Sequence, residues 1–239
     1  MKPSSYSESI DINQAIKEHL PLVKRIAHQI CSRLPPNVEV DDLIQEGLTG
    51  LLDALTRYEP QANLAFEVMK PYVGDTIDDA SLQKICAETI NFDFPLVPIT
   101  DTISSLELFH GPTLAFKDVG ARFMSRCLGY FSKTSSSNNN TVLVATSGDT
   151  GGAVANGFLG VEGVQVIILY PKGKVSPIQE LQLTTCGQNI TALEVDGSFD
   201  DCQAIVKEAF MDADLNAAYH LTSANSINVA RWLPQQLYY

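Results

Sequence analysis

Residues 110–123 read HGPTLAFKDVGARF, and Lys117 is the residue in them that could do chemistry. Lysine is normally a solvated surface residue. Here it follows Leu114, Ala115 and Phe116 and precedes Asp118. An amine attacks a carbonyl only while it is uncharged. Apolar surroundings favour that form because they penalise the ammonium ion. The residues before Lys117 supply such walls, and the Gly111-Pro112 turn fixes its approach. The alternative is a lysine at a helix start, its stem on apolar surface and its charge opposite Asp118.

A second candidate lies in TVLVATSGDTGGAVANGF, residues 141–158. A buried strand runs straight into a small, glycine-rich turn and then a helix. Such a turn aims backbone N–H groups at one spot, and the helix terminus adds partial positive charge. Ser147, Asp149 and Thr150 bring side-chain hydrogen-bonding groups to the same place. Ligands of open α/β sheets bind at the carboxyl ends of strands. The competing reading is a well-capped helix, with Asp149 or Thr150 as the cap.

The elements that must position these residues follow from periodicity. TVLVAT (141–146), VQVIILY (164–170) and ITALEVD (190–196) are short apolar runs, each followed by a glycine turn. Strand, turn and helix repeat, with 23 and 26 residues between strand starts. That is the signature of a parallel βαβ sheet. SLQKICAETI (81–90) and DCQAIVKEAF (201–210) read as helices, and SSSNNN (135–140) as a surface loop.

The first sixty residues differ in style. Ile16, Leu20, Val23, Ala27, Ile30 and Leu34 recur at steps of three and four, which predicts a helix that starts or kinks at Pro21. Pro35-Pro36-Asn37 breaks it. VDDLIQEGLTGLLDALTRYEP predicts a second helix, with Asp41 and Asp42 in its first turn and Pro60 at its end. Its stripe is Leu43, Leu48, Leu51, Leu52 and Leu55.

Composition narrows the function classes. The formal net charge is −12; residues 1–66 hold 6 basic and 9 acidic side chains, and residues 67–239 hold 10 and 19. Neither part suits nucleic-acid binding by bulk electrostatics. Five scattered cysteines form no CxxC unit, and four histidines show no ligand spacing. No disulfide framework and no metal site are expected. No run approaches a membrane span and no secretory leader opens the chain, so a cytoplasmic protein is expected.

Four motifs in order carry a resemblance: HGPTLAFKDVGARFM, ATSGDTGGAVANGF, ILYPKGKVSPIQ and SANSINVARWLPQQLYY. From about residue 66 onward the chain resembles the threonine synthases. These are pyridoxal-phosphate enzymes of the tryptophan-synthase-β-like fold, fold type II. The resemblance implies that Lys117 holds pyridoxal 5'-phosphate as a Schiff base and later moves protons. It places Asp149 beside the cofactor ring and Ser147 and Thr150 at the substrate carboxylate. Lys172, Lys174 and Ser176 become candidates for the substrate phosphate; Asn225, Ser226 and Asn228 are weaker candidates, and Arg231 is a further anion-binding candidate. The implied reaction takes O-phospho-L-homoserine and water to L-threonine and phosphate. The motifs stop at QQLYY, before the family's later glycine-rich loop for the cofactor phosphate.

Residues 14–66 are similar to something else. PLVKRIAHQICSRLPPNVEVDDLIQEGLTGLLDALTRYEPQANLAF resembles region 2 of bacterial RNA polymerase sigma factors of the flagellar type. That resemblance implies contact with core RNA polymerase through residues 14–60, with Asp41, Asp42, Gln45 and Glu46 on or near the contact face beside Gly47. The promoter-melting helices that follow in sigma factors have no counterpart after Phe66, so direct DNA binding is not expected. The expected organisation is a sigma-like helical segment, 1–66, ahead of a partial α/β threonine-synthase-like region, 67–239. Three functions follow as alternatives: the enzyme, impaired by its short length; a polymerase-binding module; and a chimeric fragment with no activity.

Overall fold

The computed structural model describes residues 12–32, 38–134, 140–225 and 228–238, with the backbone course alone for 12–15 and 53–60. The expected break at 35–37, most of the 135–140 loop, Leu34 and Ser226 lie outside the described residues. The chain divides into two compact units between Leu64 and Ala65.

In the first unit, α1 (Ile12–Cys31) and the start of α2 (Val40–Val73) form a helical pair. A Cβ on Gly47 would come 2.7 Å from Val23 Cγ1, so the glycine is what lets the helices approach. Ala27 is buried, while Leu20, Val23, Leu43 and Leu48 are half-buried. Pro21 lies inside α1. Asp41 and Asp42 occupy the first turn of α2, where negative charge suits the helix terminus.

Pro60 does not end the second helix; α2 runs on to Val73. A mid-helix proline sacrifices one backbone hydrogen bond and costs about 3 kcal/mol. The turns beyond it bury Ala65 and Met69 completely in the second unit's core. Burial on that scale returns a comparable amount, about 1.5–3 kcal/mol for the methionine alone. Tertiary packing thus offsets the local breaker.

The second unit continues with α3 (Asp79–Thr89), β1 (Leu96–Pro98), β2 (Ser104–Leu106) and α4 (Asp118–Thr134). Next come β3 (Asn140–Ala145), α5 (Asp149–Phe158), β4 (Val164–Pro171), α6 (Pro177–Thr184), β5 (Ile190–Val195) and α7 (Phe199–Met211). It closes with α8 (Ala213–Tyr219), β6 (Leu221–Ser223), α9 (Val229–Trp232) and a 3₁₀ turn (Leu233–Tyr238). The strands β5-β4-β3-β6 form one parallel sheet in that order, with Val142 opposite Val166 and Ile168 opposite Ala192. β1 and β2 make a separate antiparallel pair.

Alternation along the central strands serves two layers. Val142, Val144, Val166 and Ile168 pack with Ala121, Val154, Phe158 and Leu183 from α4, α5 and α6. Leu143 and Leu169 face the other way, against Cys202 and Val206 of α7. Both faces are covered, which is why these strands read as continuous apolar runs. A further core joins Met69, Leu82, Val119, Phe123, Leu233 and Tyr238, so α4 is buried on two sides. Gly157 lets α5 lie close on it: a Cβ there would meet the Ala121 backbone at 3.1 Å.

Phe158 is fully buried at the centre of the sheet-facing core. Phe158→Ala should cost about 3–5 kcal/mol of stability in urea unfolding; a loss below about 1 kcal/mol would contradict this packing.

Candidate active site

The site is built where two chain reversals meet. The turn over residues 111–117 ends at α4, and the turn over 146–148 ends at α5. Lys117 Nζ donates to Asp149 Oδ2 at 2.6 Å, joining the two. The Lys117 side chain is 21% exposed and that of Asp149 45%, so the pair is partly shielded but open on one side. The ammonium also sits 4.1 Å from the centroid of the Phe116 ring, a cation–π contact. The apolar wall expected before Lys117 is therefore present in part, although Phe116 and Leu114 keep much of their own surface exposed.

Burial alone would raise the Asp149 carboxyl. The hydrogen bond and charge of Lys117, with the amide of Thr150, more than reverse this and hold it below the ordinary carboxylate range. Asp118, the residue that could have faced Lys117, does not do so. It is buried and accepts from the amide and hydroxyl of Thr113.

The cap of α5 differs from both side chains expected for it. Gly148 is the N-cap, at φ 143°, and its side of the turn is closed by Thr146. Thr146 Oγ1 accepts from the amides of Gly148 at 3.0 Å and Gly151 at 2.8 Å, while Asp149 Oδ1 accepts from Thr150 at 2.8 Å. These amides, expected to be aimed at a ligand, are thus engaged by side chains. Glycine is favoured at 148 by its φ of 143°, and a Cβ there would also press on the Gln179 amide group. The hydroxyls of Ser147 and Thr150 have no protein partner among the described residues; Ser147 is exposed and Thr150 half-buried.

The other candidates are placed less uniformly. Ser176 caps α6: its hydroxyl donates to Gln179 Oε1 at 3.0 Å and accepts from the Gln179 amide. Gln179 lies against Gly148, so Ser176 is brought to the edge of the site. Lys172 and Lys174 stand exposed on the turn after β4, around Gly173 at φ 64°. Nothing described joins them to Lys117. Asn225 is half-buried beside Ser223 and lines a cavity of about 450 Å³ with Ala145, Val206 and Phe210; Lys117 is not part of that cavity. Asn228 caps α9.

Arg231 is 3% exposed. Its Nη1 donates to the Ala224 carbonyl at 2.8 Å, its Nε has no partner among the described residues, and its backbone carbonyl rests on Gly120 of α4. Burial lowers its pKa, with the Asp149 charge opposing that shift. A guanidinium so enclosed supports the base of α4 and is not presented on the surface. Cys86 and Cys127 are also enclosed; burial pushes both thiols up to about 12, which removes them as nucleophiles at neutral pH. In the first unit, Asp41, Asp42, Gln45 and Glu46 are all exposed.

Sequence reasoning passed over Thr146, Gln179, Thr113 and the Tyr238 hydroxyl, which donates to the Phe116 carbonyl. A threonine two residues before a glycine turn is a recognisable capping signal. Nothing local advertises Gln179 or Tyr238, which reach the site from later elements.

Residues 105–235 match the pyridoxal-phosphate dependent enzymes as a family. The chain belongs to that family. Residues 15–68 match sigma-70 region 2. Among curated relatives, the threonine synthase of Serratia marcescens is 41% identical over 98% of this chain and 51% of its own length. That of Escherichia coli K12 is 43% identical over 84% of this chain and 43% of its own. The crystal structure of threonine synthase from Brucella melitensis, with pyridoxal phosphate bound, superposes with a TM-score of 0.70 at 40% identity, over 74% of this chain and 39% of the other. The chain spans about half the length of the curated relatives it matches. The fold is the α/β fold of these enzymes, with a helical segment ahead of it. No helix among the described residues is long and apolar enough to cross a membrane.

The residues present fit the carbonyl end of this family's cofactor: an amine in a half-buried setting, oriented by a carboxylate. For its phosphate the turn offers less, because the amides of Gly148, Thr150 and Gly151 are already bound to side chains.

Thr146→Val should cost about 1–2 kcal/mol by uncapping α5, whereas Thr146→Ser should not; equal unfolding midpoints for all three proteins would overturn the capping role. Asp149, with its carboxyl lowered, contributes stability that is present above its unfolded value of about 3.9 and is lost as pH falls through the folded value. Acid unfolding of Asp149→Asn should therefore lack that part of the acid limb; superimposable acid limbs would contradict it.

Proposed function

We propose that residues 67–239 carry the amine-bearing part of a threonine synthase site. Its substrate is O-phospho-L-homoserine, its cofactor pyridoxal 5'-phosphate, and its products L-threonine and phosphate. The observation that carries this is the Lys117–Asp149 pair at 2.6 Å, in a chain of this family. Bound pyridoxal phosphate supplies a carbonyl for an amine and a ring that draws electrons from a substrate carbon. Every other role falls to protein groups. Asp149 holds the Lys117 amine in one direction by accepting its hydrogen bond. Proton loss leaves Lys117 nucleophilic, and later the same amine carries protons between substrate carbons. The unpaired hydroxyls of Ser147 and Thr150 are the groups for the substrate carboxylate. Lys172, Lys174 and Ser176 are the candidates for its phosphate; Asn225 and Ser226 are secondary ones. Arg231, being buried, acts on the site through α4 rather than by touching substrate. The setting of such a reaction is cytoplasmic.

A second reading concerns residues 1–66 and rests on the match of residues 15–68 to sigma-70 region 2. In it the segment binds core RNA polymerase through the exposed Asp41, Asp42, Gln45 and Glu46, without contacting DNA. Retention on immobilised core polymerase, lost on replacing Asp41, Asp42 and Glu46 by alanine, is the expected result; no retention sinks this reading.

The enzymatic reading is tested by incubating the chain with stoichiometric pyridoxal phosphate, reducing with borohydride and locating adducts by peptide mass. A single pyridoxyl adduct on Lys117, absent from Lys117→Ala, is expected. Adducts spread over Lys70, Lys84 and Lys172, or none, would overturn it.

A further inference from the structure

The turn that carries Lys117 is closed by a buried carboxylate. Asp118 is 1% exposed. Its Oδ2 accepts from the Thr113 amide at 3.0 Å, and its Oδ1 accepts from the Thr113 hydroxyl at 2.5 Å. No cation pairs with it in an ion pair among the described residues. Burying a carboxylate is costly unless hydrogen bonds and fixed dipoles replace water. Here one neutral residue supplies both bonds, and the first turn of α4 supplies the dipole.

A cap would normally reach forward to the amides of its own helix. Asp118 reaches backward instead, closing a loop of residues 113–117 that ends on Lys117. The loop is tight throughout. Leu114 takes a left-handed conformation at φ 59°, which a leucine adopts only under constraint. Its amide donates to the Gly111 carbonyl at 3.0 Å, and the Asp118 amide donates to that of Ala115 at 3.0 Å. A Cβ on Gly111 would strike Asp118 Oδ2 and lie 2.9 Å from the Phe92 ring. A desolvated anion, a strained leucine and a compulsory glycine all serve one outcome, the direction in which the chain enters α4.

We propose that Asp118 and Thr113 form a clamp that positions Lys117, so that its amine meets Asp149. The clamp acts through the backbone: Asp118 touches neither the amine nor Asp149, and is a positioning residue. The proposal deepens the reading of Lys117 as the working amine and rests on it for its purpose, but its geometry is independent of any cofactor.

The test uses the whole chain without pyridoxal phosphate. Lysines are methylated with formaldehyde and cyanoborohydride across a pH series, and the rate at each lysine is read by peptide mass. Lys117, tied to Asp149, should react about tenfold more slowly than the exposed Lys172, the scale of one charge-assisted hydrogen bond. Thr113→Val and Asp118→Asn should each lift the Lys117 rate toward that of Lys172 and leave Lys84 and Lys172 unchanged. Asp149→Asn should lift it equally, and adding Thr113→Val to that variant should change nothing further. Thr113→Ser, which restores the hydroxyl, should keep Lys117 protected. A Lys117 as protected in folded Thr113→Val as in the parent chain would overturn the clamp. Should Asp118→Asn fail to fold, Thr113→Val and Thr113→Ser still decide. Absence of a pyridoxyl adduct would count against the proposed reaction and not against the clamp.

Discussion

The ion pair between Lys117 and Asp149 joins residues 32 positions apart and is the point on which the site depends. One partner stands just ahead of α4 and the other opens α5. Both helices pack on the same face of the sheet, and Gly157 against Ala121 sets how closely they lie. The pair is the meeting of two helix starts whose spacing is already set by packing. Its electrostatics follow from the same geometry: Asp149 is enclosed enough to be raised by burial, yet close enough to Lys117 to be lowered on balance. Were the turn before α4 free to move, that balance would disappear.

The central strands were legible because both faces are buried. TVLVAT, VQVIILY and ITALEVD correspond to β3, β4 and β5 within a residue at each end. β6, at three residues, is too short to show a period, and the β1–β2 pair carries a proline within its register. Pro60 misled for a different reason: local chemistry says stop, and the burial of Ala65 and Met69 overrides it. Long-range packing of this kind leaves no mark in the residues around the proline.

The site itself was legible in its chemistry more than in its contacts. Lys117 and Asp149 each stood out by residue type and setting, but nothing local joined one to the other. The rival partner for Lys117, its neighbour Asp118, was the natural choice on proximity in sequence; the structure gives Asp118 to Thr113 instead. Arg231, an anion-binding candidate by its charge, proves to be enclosed against α4. Its backbone carbonyl occupies the space a side chain at Gly120 would need. Exposure of a lone basic residue is a property of the fold around it, and the sequence near it does not encode that.

On the reading proposed above, the Lys117–Asp149 pair is the amine side of the site, while the described residues supply fewer groups for the anionic ends of cofactor and substrate. The central claim is that Lys117 is placed, by Asp149 and by the turn before α4, to take the cofactor's carbonyl. It is tested most directly by a crystal structure of the chain grown with stoichiometric pyridoxal phosphate. Electron density continuous from Lys117 Nζ into the pyridine ring, with Asp149 beside it, is the result this account predicts. Cofactor density attached to another lysine, or a clear Lys117 side chain still paired with Asp149 and no cofactor anywhere, would contradict it.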